Sequence, residues 1–131
     1  MKKLAIAVSG ILLSTSLLAE EVLYCTSELE TGFYIESGKW FASTFAPERF
    51  PVKVNDNFNS VIIGKRKYAC RTPFLTIDPD YVVCDMVSGF SFRYSKKSNR
   101  FVWIVSGSSG YILSETKSDT DSMYVGKCEK F

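Results

Sequence analysis

The chain has 131 residues with no internal repeat and no linker, so we expect a single domain. It contains no histidine, which excludes Ser-His and Cys-His nucleophile pairs and nearly every catalytic zinc site. With 16 basic and 14 acidic residues the formal net charge is only +2, and no general affinity for nucleic acid is expected.

The N-terminal segment has the pattern of a secretory signal peptide. A basic start at residues 1–3 precedes an apolar run over residues 4–18, and Ala19 stands before two glutamates. The run is short and contains serine, which disfavours a membrane span, although an uncleaved anchor is the alternative. We therefore expect a signal peptide at residues 1–19 and a single β domain at residues 20–131. This domain is expected to be periplasmic or secreted, with no membrane span after cleavage.

The charge of the mature domain is balanced. Removal of residues 1–19 takes away two lysines and no acid, which leaves 14 residues of each sign. A cationic cluster remains at residues 65–67 with Arg71. We interpret it as a solvated strand edge whose charges prevent aggregation with other chains. We therefore expect no nucleic-acid partner and no general attraction to anionic membranes.

Four cysteines remain after the proposed cleavage: Cys25, Cys70, Cys84 and Cys128. An even number behind a signal peptide predicts disulfides formed in an oxidising compartment. Of the three possible pairings we favour Cys70–Cys84, across a short hairpin, with Cys25–Cys128, between the first and last strands. Zinc ligation is the alternative, but the chain has no Cys-x-x-Cys pair to support it.

Residues 89–106 carry the clearest strand pattern. Aromatic residues alternate with polar ones from Phe90 to Ser95, which is the period of a strand with one buried face. A polar run at residues 96–99 then predicts a hairpin loop. From Phe101 to Val105 both faces are apolar, so we expect this hairpin to be the middle of the core.

Other segments share a β-forming composition or the same alternation, and none keeps a helical period over three turns. The sequence therefore predicts an all-β protein, a single small antiparallel barrel or sandwich of about 8–10 short strands braced by disulfides. Polar residues 28–32 predict a turn between the first two strands. The other predicted β segments are Val22–Ser27, Phe33–Ile35, Trp40–Phe45 (or one helical turn), Phe50–Asn55, Ser60–Gly64, Lys65–Arg71, Tyr81–Met86 and Met123–Cys128, with an apolar stretch at Tyr111–Leu113.

Aromatic residues are numerous, with 10 Phe, 7 Tyr and 2 Trp. A small barrel is overfilled if all of them point inward, so some are expected at the surface, where aromatic side chains are candidates for binding. Loops on a stiff frame are the usual place for recognition. The candidate binding residues are therefore Ser108, Gly110 and Tyr111 of the 106–111 segment, Lys96 and Lys97 of the hairpin tip, and Phe74 of the 72–80 segment.

Catalytic and metal sites find little support in the sequence. A pair of carboxylates is the remaining arrangement that could catalyse hydrolysis. Most of the acids, however, stand in predicted turns, where acidic residues are common for structural reasons. Calcium-loop spacing fails after Asp119, because the sixth position is Tyr124 and the twelfth is Lys130. No metal and no cofactor is expected. The acids considered are Glu28, Glu30, Glu36, Asp78, Asp80, Asp85, Glu115, Asp119 and Asp121.

A set of sequence features resembles small secreted bacterial proteins that have no assigned function. The features are Tyr24-Cys25, Gly32-Phe33, Trp40, Phe50, Cys70 with Cys84, Arg100-Phe101, Gly110-Tyr111, Asp119-Thr120-Asp121 and the ending Gly126-x-Cys128-x-x-Phe131. The resemblance spans almost the whole mature chain and implies a shared fold and disulfide plan. A looser similarity in kind, not in motif, relates the chain to periplasmic lysozyme inhibitors, which are also small disulfide-tied β-barrels.

Three functions are consistent with these observations. We favour a non-enzymatic periplasmic or secreted binding protein with a protein or glycan partner, and a protein inhibitor is one form of this hypothesis. The first alternative is a carboxylate-based glycan hydrolase, which needs two acids in one cleft. The second is a carrier of a small apolar ligand, which needs an internal cavity.

Overall fold

Antiparallel β-strands make up most of residues 20–106 and 120–130, the part of the chain that the computed structural model describes. No helix occurs within these residues, so the all-β prediction is confirmed. The apolar stretch at residues 111–113 lies outside them. The strands are β1 (Glu21–Glu36), β2 (Lys39–Thr44), β3 (Arg49–Asn55), β4 (Ser60–Ile63), β5 (Arg66–Arg71), β6 (Tyr81–Asp85), β7 (Ser91–Ser95), β8 (Arg100–Val105) and β9 (Asp121–Lys130).

Eight of these strands form a closed barrel. Neighbours in the sheet follow the order β2-β1-β3-β4-β5-β6-β7-β8-β9, and β9 pairs back onto β1. In this closing pair Leu23 lies opposite Lys130, and Phe33 lies opposite Asp121. The architecture is therefore a barrel rather than a sandwich, and β2 is an additional strand outside the ring.

The long strand β1 holds the barrel together because it pairs along both edges. One edge pairs with β9, and the other pairs with β3 through Glu21–Thr26 and with β2 through Thr31–Glu36. The turn predicted at residues 28–32 is wrong, since the chain stays extended and the register merely shifts between Ser27 and Leu29. This β-bulge accommodates an extra residue while pairing with β9 continues.

Large side chains fill the barrel interior. Tyr68, Phe92 and Tyr94 are fully buried, and the rings of Phe92 and Phe101 stack with their centroids 5.7 Å apart. The Trp103 indole donates a hydrogen bond to the Tyr68 hydroxyl at 3.1 Å. The alternation predicted for the first half of the hairpin is thus confirmed, because its aromatic face forms part of the core.

The second apolar face of β8 lies on the outside of the barrel and not, as the sequence had predicted, in the core. Val102 and Ile104 point away from the interior and lie opposite Val125 and Met123 of β9. A closed barrel has no central strand, so this outer face is not the buried second face that was predicted. It forms a partly exposed apolar strip on the barrel wall instead.

Both predicted disulfides are confirmed. Cys25–Cys128 ties β1 to β9 across a sequence separation of 103, and Cys70–Cys84 ties β5 to β6 across a separation of 14. The cysteines of each pair lie directly opposite each other in the strand register. A cross-link between the two ends of the chain restricts the unfolded state more than a cross-link within one hairpin.

Replacing each cysteine pair by alanine is expected to lower the free energy of unfolding unequally. The chain-entropy model gives a loss of about 4.7 kcal/mol for C25A/C128A and about 3 kcal/mol for C70A/C84A. Chemical denaturation followed by tryptophan fluorescence measures both losses. Equal losses would show that loop length does not govern this stabilisation.

Gly126 of β9 lies between Ser27, at the bulge of β1, and Phe101 of β8. A Cβ atom at this position would stand 2.0 Å from the Thr26 carbonyl oxygen and 2.9 Å from Cε1 of Phe101. The first of these contacts is with backbone, which does not move without distorting the closing pair of strands. Glycine is therefore required for this close approach.

Gly126→Ala is expected to destabilise the protein by about 3 kcal/mol, because it overpacks a rigid contact between backbones. The control is Gly64→Ala, which meets no atom within 4 Å and bears only the strain of its φ of +62°. That strain costs about 1 kcal/mol. Thermal and urea unfolding compare the two variants, and a Gly126→Ala protein as stable as the control would contradict the role given to this contact.

Candidate functional site

The segment of residues 72–80, which we call the apolar loop, joins β5 to β6 at one end of the barrel. It contains a tight turn, because the Phe74 carbonyl accepts hydrogen bonds from the Ile77 and Asp78 amides at 2.9 and 2.7 Å. A proline precedes this turn and another follows it, and each fixes its own φ angle. The loop therefore has a defined shape of its own.

The apolar loop presents three large apolar side chains to solvent. Phe74, Leu75 and Ile77 are 53%, 68% and 84% exposed. Phe74 also stacks on Tyr81 of β6 with ring centroids 5.8 Å apart, which anchors the base of the loop. Exposed apolar groups concentrated in one short segment make this loop a candidate surface for contact with another molecule.

The turn between β7 and β8, residues 96–99, stands beside the apolar loop. The Lys96 amide donates to the Asp80 carbonyl at 3.0 Å, so the two segments are hydrogen-bonded to each other. The Lys96 ammonium lies 5.3 Å from the centroid of the buried Phe58 ring, and the Lys97 side chain is exposed. Both segments therefore belong to one surface.

The structure brings together three of the predicted binding residues, Phe74, Lys96 and Lys97, on these adjoining segments. The other three lie outside the described residues: Ser108, Gly110 and Tyr111. Sequence analysis missed Leu75 and Ile77. The available signal was an apolar run between two prolines, in a segment too irregular to be a strand and therefore unable to bury its side chains in the core.

A groove of about 210 Å³, which we call the arginine groove, lies next to the apolar loop on the outer face of β6, β7 and β8. Tyr81 belongs to both places, because its ring lines the groove and stacks on Phe74. The groove therefore continues the surface that the apolar loop begins. Its outward-facing lining residues are Tyr81, Arg93, Ser95, Arg100 and Val102.

The arginines around this groove differ in their ionic partners. Arg71 of β5 donates a hydrogen bond to the Asp85 carboxylate. Burial opposes ionisation of Asp85, but hydrogen bonds from Ser91 and Arg71, with the charges of Arg71 and Arg93, outweigh it and lower the pKa of this carboxyl. No ion pair between described residues includes Arg93 or Arg100. The charge of Arg93 acts on Asp85 at longer range than that of Arg71, which contacts the carboxylate directly.

Glu30 is an acid that faces the barrel interior. It is 6% exposed, lies opposite Tyr124 of β9, and its Oε2 atom has no hydrogen-bond partner among the described residues. Burial raises the pKa of Glu30, and the negative charge of Glu48 raises it further. A hydrogen bond from Tyr124 acts in the opposite direction and lowers the pKa. Burial, together with the charge of Glu30, raises the pKa of Tyr124 to about 12. The ionised form of Glu30 is therefore disfavoured in the folded state.

Glu30→Gln is expected to stabilise the protein at neutral pH by about 1 kcal/mol, because the amide cannot ionise inside the barrel. The raised pKa means that the folded state holds the Glu30 proton more tightly than the unfolded state. Stability is therefore lost as the pH rises from the ordinary value of 4.5 through the raised pKa. Urea unfolding at acidic and at neutral pH measures the effect, and an equal gain under both conditions would contradict this cause.

No protein-family model, no curated protein and no solved structure matches this chain. Within the described residues no group of three or more acidic or cysteine side chains is arranged to hold a metal ion. That part of the chain also contains no helix with the length and hydropathy needed to cross a bilayer.

Proposed function

We propose that this protein is a non-enzymatic binding protein, periplasmic or secreted, that holds a protein partner through its apolar loop. The observation that carries the proposal is the exposure of Phe74, Leu75 and Ile77 in one hydrogen-bonded turn. Apolar side chains on a preformed turn enter a cleft at a low cost in conformational entropy. Removal of their apolar surface from water supplies the free energy of binding.

The frame behind the apolar loop supports the inhibitor form of this proposal. The Cys70–Cys84 disulfide joins the strand that leads into the loop to the strand that leaves it. The stacking of Phe74 on Tyr81 and the hydrogen bond from Lys96 to Asp80 add two further restraints. Protein inhibitors commonly bind with little backbone movement, and such a restrained loop meets that requirement.

Export is part of the proposal. Two disulfides persist in an oxidising compartment, such as a periplasm or an extracellular space. The pattern of residues 1–19 adds the prediction of a signal peptide. Both observations support a protein that meets its partner outside the cytosol.

The alternatives have weaker support. A carrier of apolar ligands needs an open interior, whereas Tyr68, Phe92 and Tyr94 occupy the inside of this barrel. A glycan hydrolase needs two acids in one open cleft, whereas Glu30, the acid whose pKa the charge of Glu48 raises, is only 6% exposed and faces the barrel interior. The apolar loop, by contrast, needs no further group to act as a contact surface.

Capture experiments test the proposed function directly. The oxidised protein is immobilised, exposed to periplasmic extract and to culture supernatant, and the retained proteins are identified by mass spectrometry. We expect a predominant protein partner, and we expect L75S/I77S to reduce its retention about tenfold because two apolar anchors are lost.

A matched control is L29S/V87S, which removes two exposed apolar side chains from other parts of the chain. Circular dichroism and the unfolding midpoint establish that both variants fold. Undiminished retention by L75S/I77S would show that the loop is not the contact. An equal loss in L29S/V87S would show general adhesion of apolar surface, and failure of the wild-type protein to retain any protein would also contradict the proposal.

A further inference from the structure

The arginine groove is lined by two arginines on adjacent strands, Arg93 of β7 and Arg100 of β8. Arg93 of β7 lies opposite Val102 of β8, and Arg100 of β8 lies opposite Lys127 of β9. Arg93 and Arg100 are therefore diagonal neighbours on the same face, where such positions are about 7–8 Å apart and within reach of long side chains. Two guanidinium groups so placed can hold a single oxyanion between them.

Two acids stand diagonal to the groove arginines, Asp85 to Arg93 and Glu129 to Arg100, but neither arginine forms an ion pair among the described residues. Arg100 stands opposite another cation, Lys127, and like charges in this relation destabilise a sheet. The acid paired with Lys127 is Glu28, at 3.5 Å, on the strand beyond it. Arg93 interacts electrostatically with Asp85, but the Asp85 carboxylate already forms an ion pair with Arg71. An anion between the two groove arginines offsets this repulsion.

We infer that the arginine groove receives a carboxylate side chain of the polypeptide held by the apolar loop, an inference that rests on the proposed function. The planar guanidinium fork matches a carboxylate and binds it through two hydrogen bonds. The groove volume of about 210 Å³ is smaller than a typical small-molecule site and suits one aspartate or glutamate side chain. The partner is therefore acidic beside its apolar cleft.

The neighbouring apolar loop favours a polypeptide over a sulfated glycan. Arginine pairs bind sulfate as well as carboxylate, so the groove alone does not separate the two. A polysaccharide, however, has no apolar cleft for Leu75 and Ile77 to enter. A protein surface can present an apolar cleft beside an acidic group. This arrangement matches the apolar loop and the arginine groove, which lie side by side at Tyr81.

Labelled poly-L-glutamate is the probe for this inference, with heparin as the sulfated comparison. Both are titrated with the oxidised protein at low ionic strength and followed by fluorescence anisotropy. R93Q/R100Q is expected to weaken poly-L-glutamate binding about tenfold or more, because two charge-assisted contacts are lost. R93K/R100K keeps the charge without the planar fork and should restore only part of the affinity.

The charge-matched control is K53Q/K67Q, which removes two exposed cations from other strands of the barrel and should change the affinity less than about twofold. Weakening by this control equal to that of R93Q/R100Q would show general attraction and overturn the inference. Heparin binding that is tighter than poly-L-glutamate binding, and that is lost in R93Q/R100Q, would assign the groove to a sulfated glycan and overturn it as well.

The loop variant separates this inference from the proposed function. L75S/I77S should bind poly-L-glutamate as the wild type does, because the probe has no apolar group. Reduced capture of the partner by both L75S/I77S and R93Q/R100Q supports the inference. Reduced capture by L75S/I77S with undiminished capture by R93Q/R100Q would overturn it and leave the proposed function standing. Capture that neither variant reduces would overturn both.

Discussion

Pairing between the first and last strands is the constraint on which the rest of this structure depends. Without the contact of β1 with β9, the remaining strands form an open sheet with two long edges, which other chains can join. Closing the ring brings together residues from opposite ends of the sequence, at a large cost in loop entropy. The Cys25–Cys128 disulfide offsets that cost, and Gly126 allows the two backbones to approach closely enough.

A closed ring also explains why the proposed recognition surface lies on a loop and the adjoining wall. Interior positions are filled by large rings, so the inward-facing side chains are committed to packing. The apolar loop is held by restraints at its base while its tip is exposed, and the groove arginines stand on paired strands of the wall. The residues that stabilise the barrel and those of the proposed binding surface are therefore different sets in one short chain.

Sequence alone predicted what depends on local pattern and on cysteine count. The alternation from Phe90 to Ser95 gave the strand and its buried face, and the positions of four cysteines gave both disulfides. Residues 28–32 were mistaken for a turn because their extended form depends on β9, far away in sequence. The predicted hairpin with its loop at residues 96–99 already places Arg93 and Arg100 on neighbouring strands, but the groove beside them depends on Tyr81 of β6, which local pattern does not place there.

Backbone groups, not side chains, shape the tip of the apolar loop. Its turn is closed by amides that donate to the Phe74 carbonyl, and neither Leu75 nor Ile77 is needed to support the barrel. Side chains at these two positions can therefore change in evolution at little thermodynamic penalty. If the tip makes the proposed contact, changes in the partner's surface would be followed by substitutions at the tip, and divergence among descendants of this gene should concentrate there while the frame stays constant.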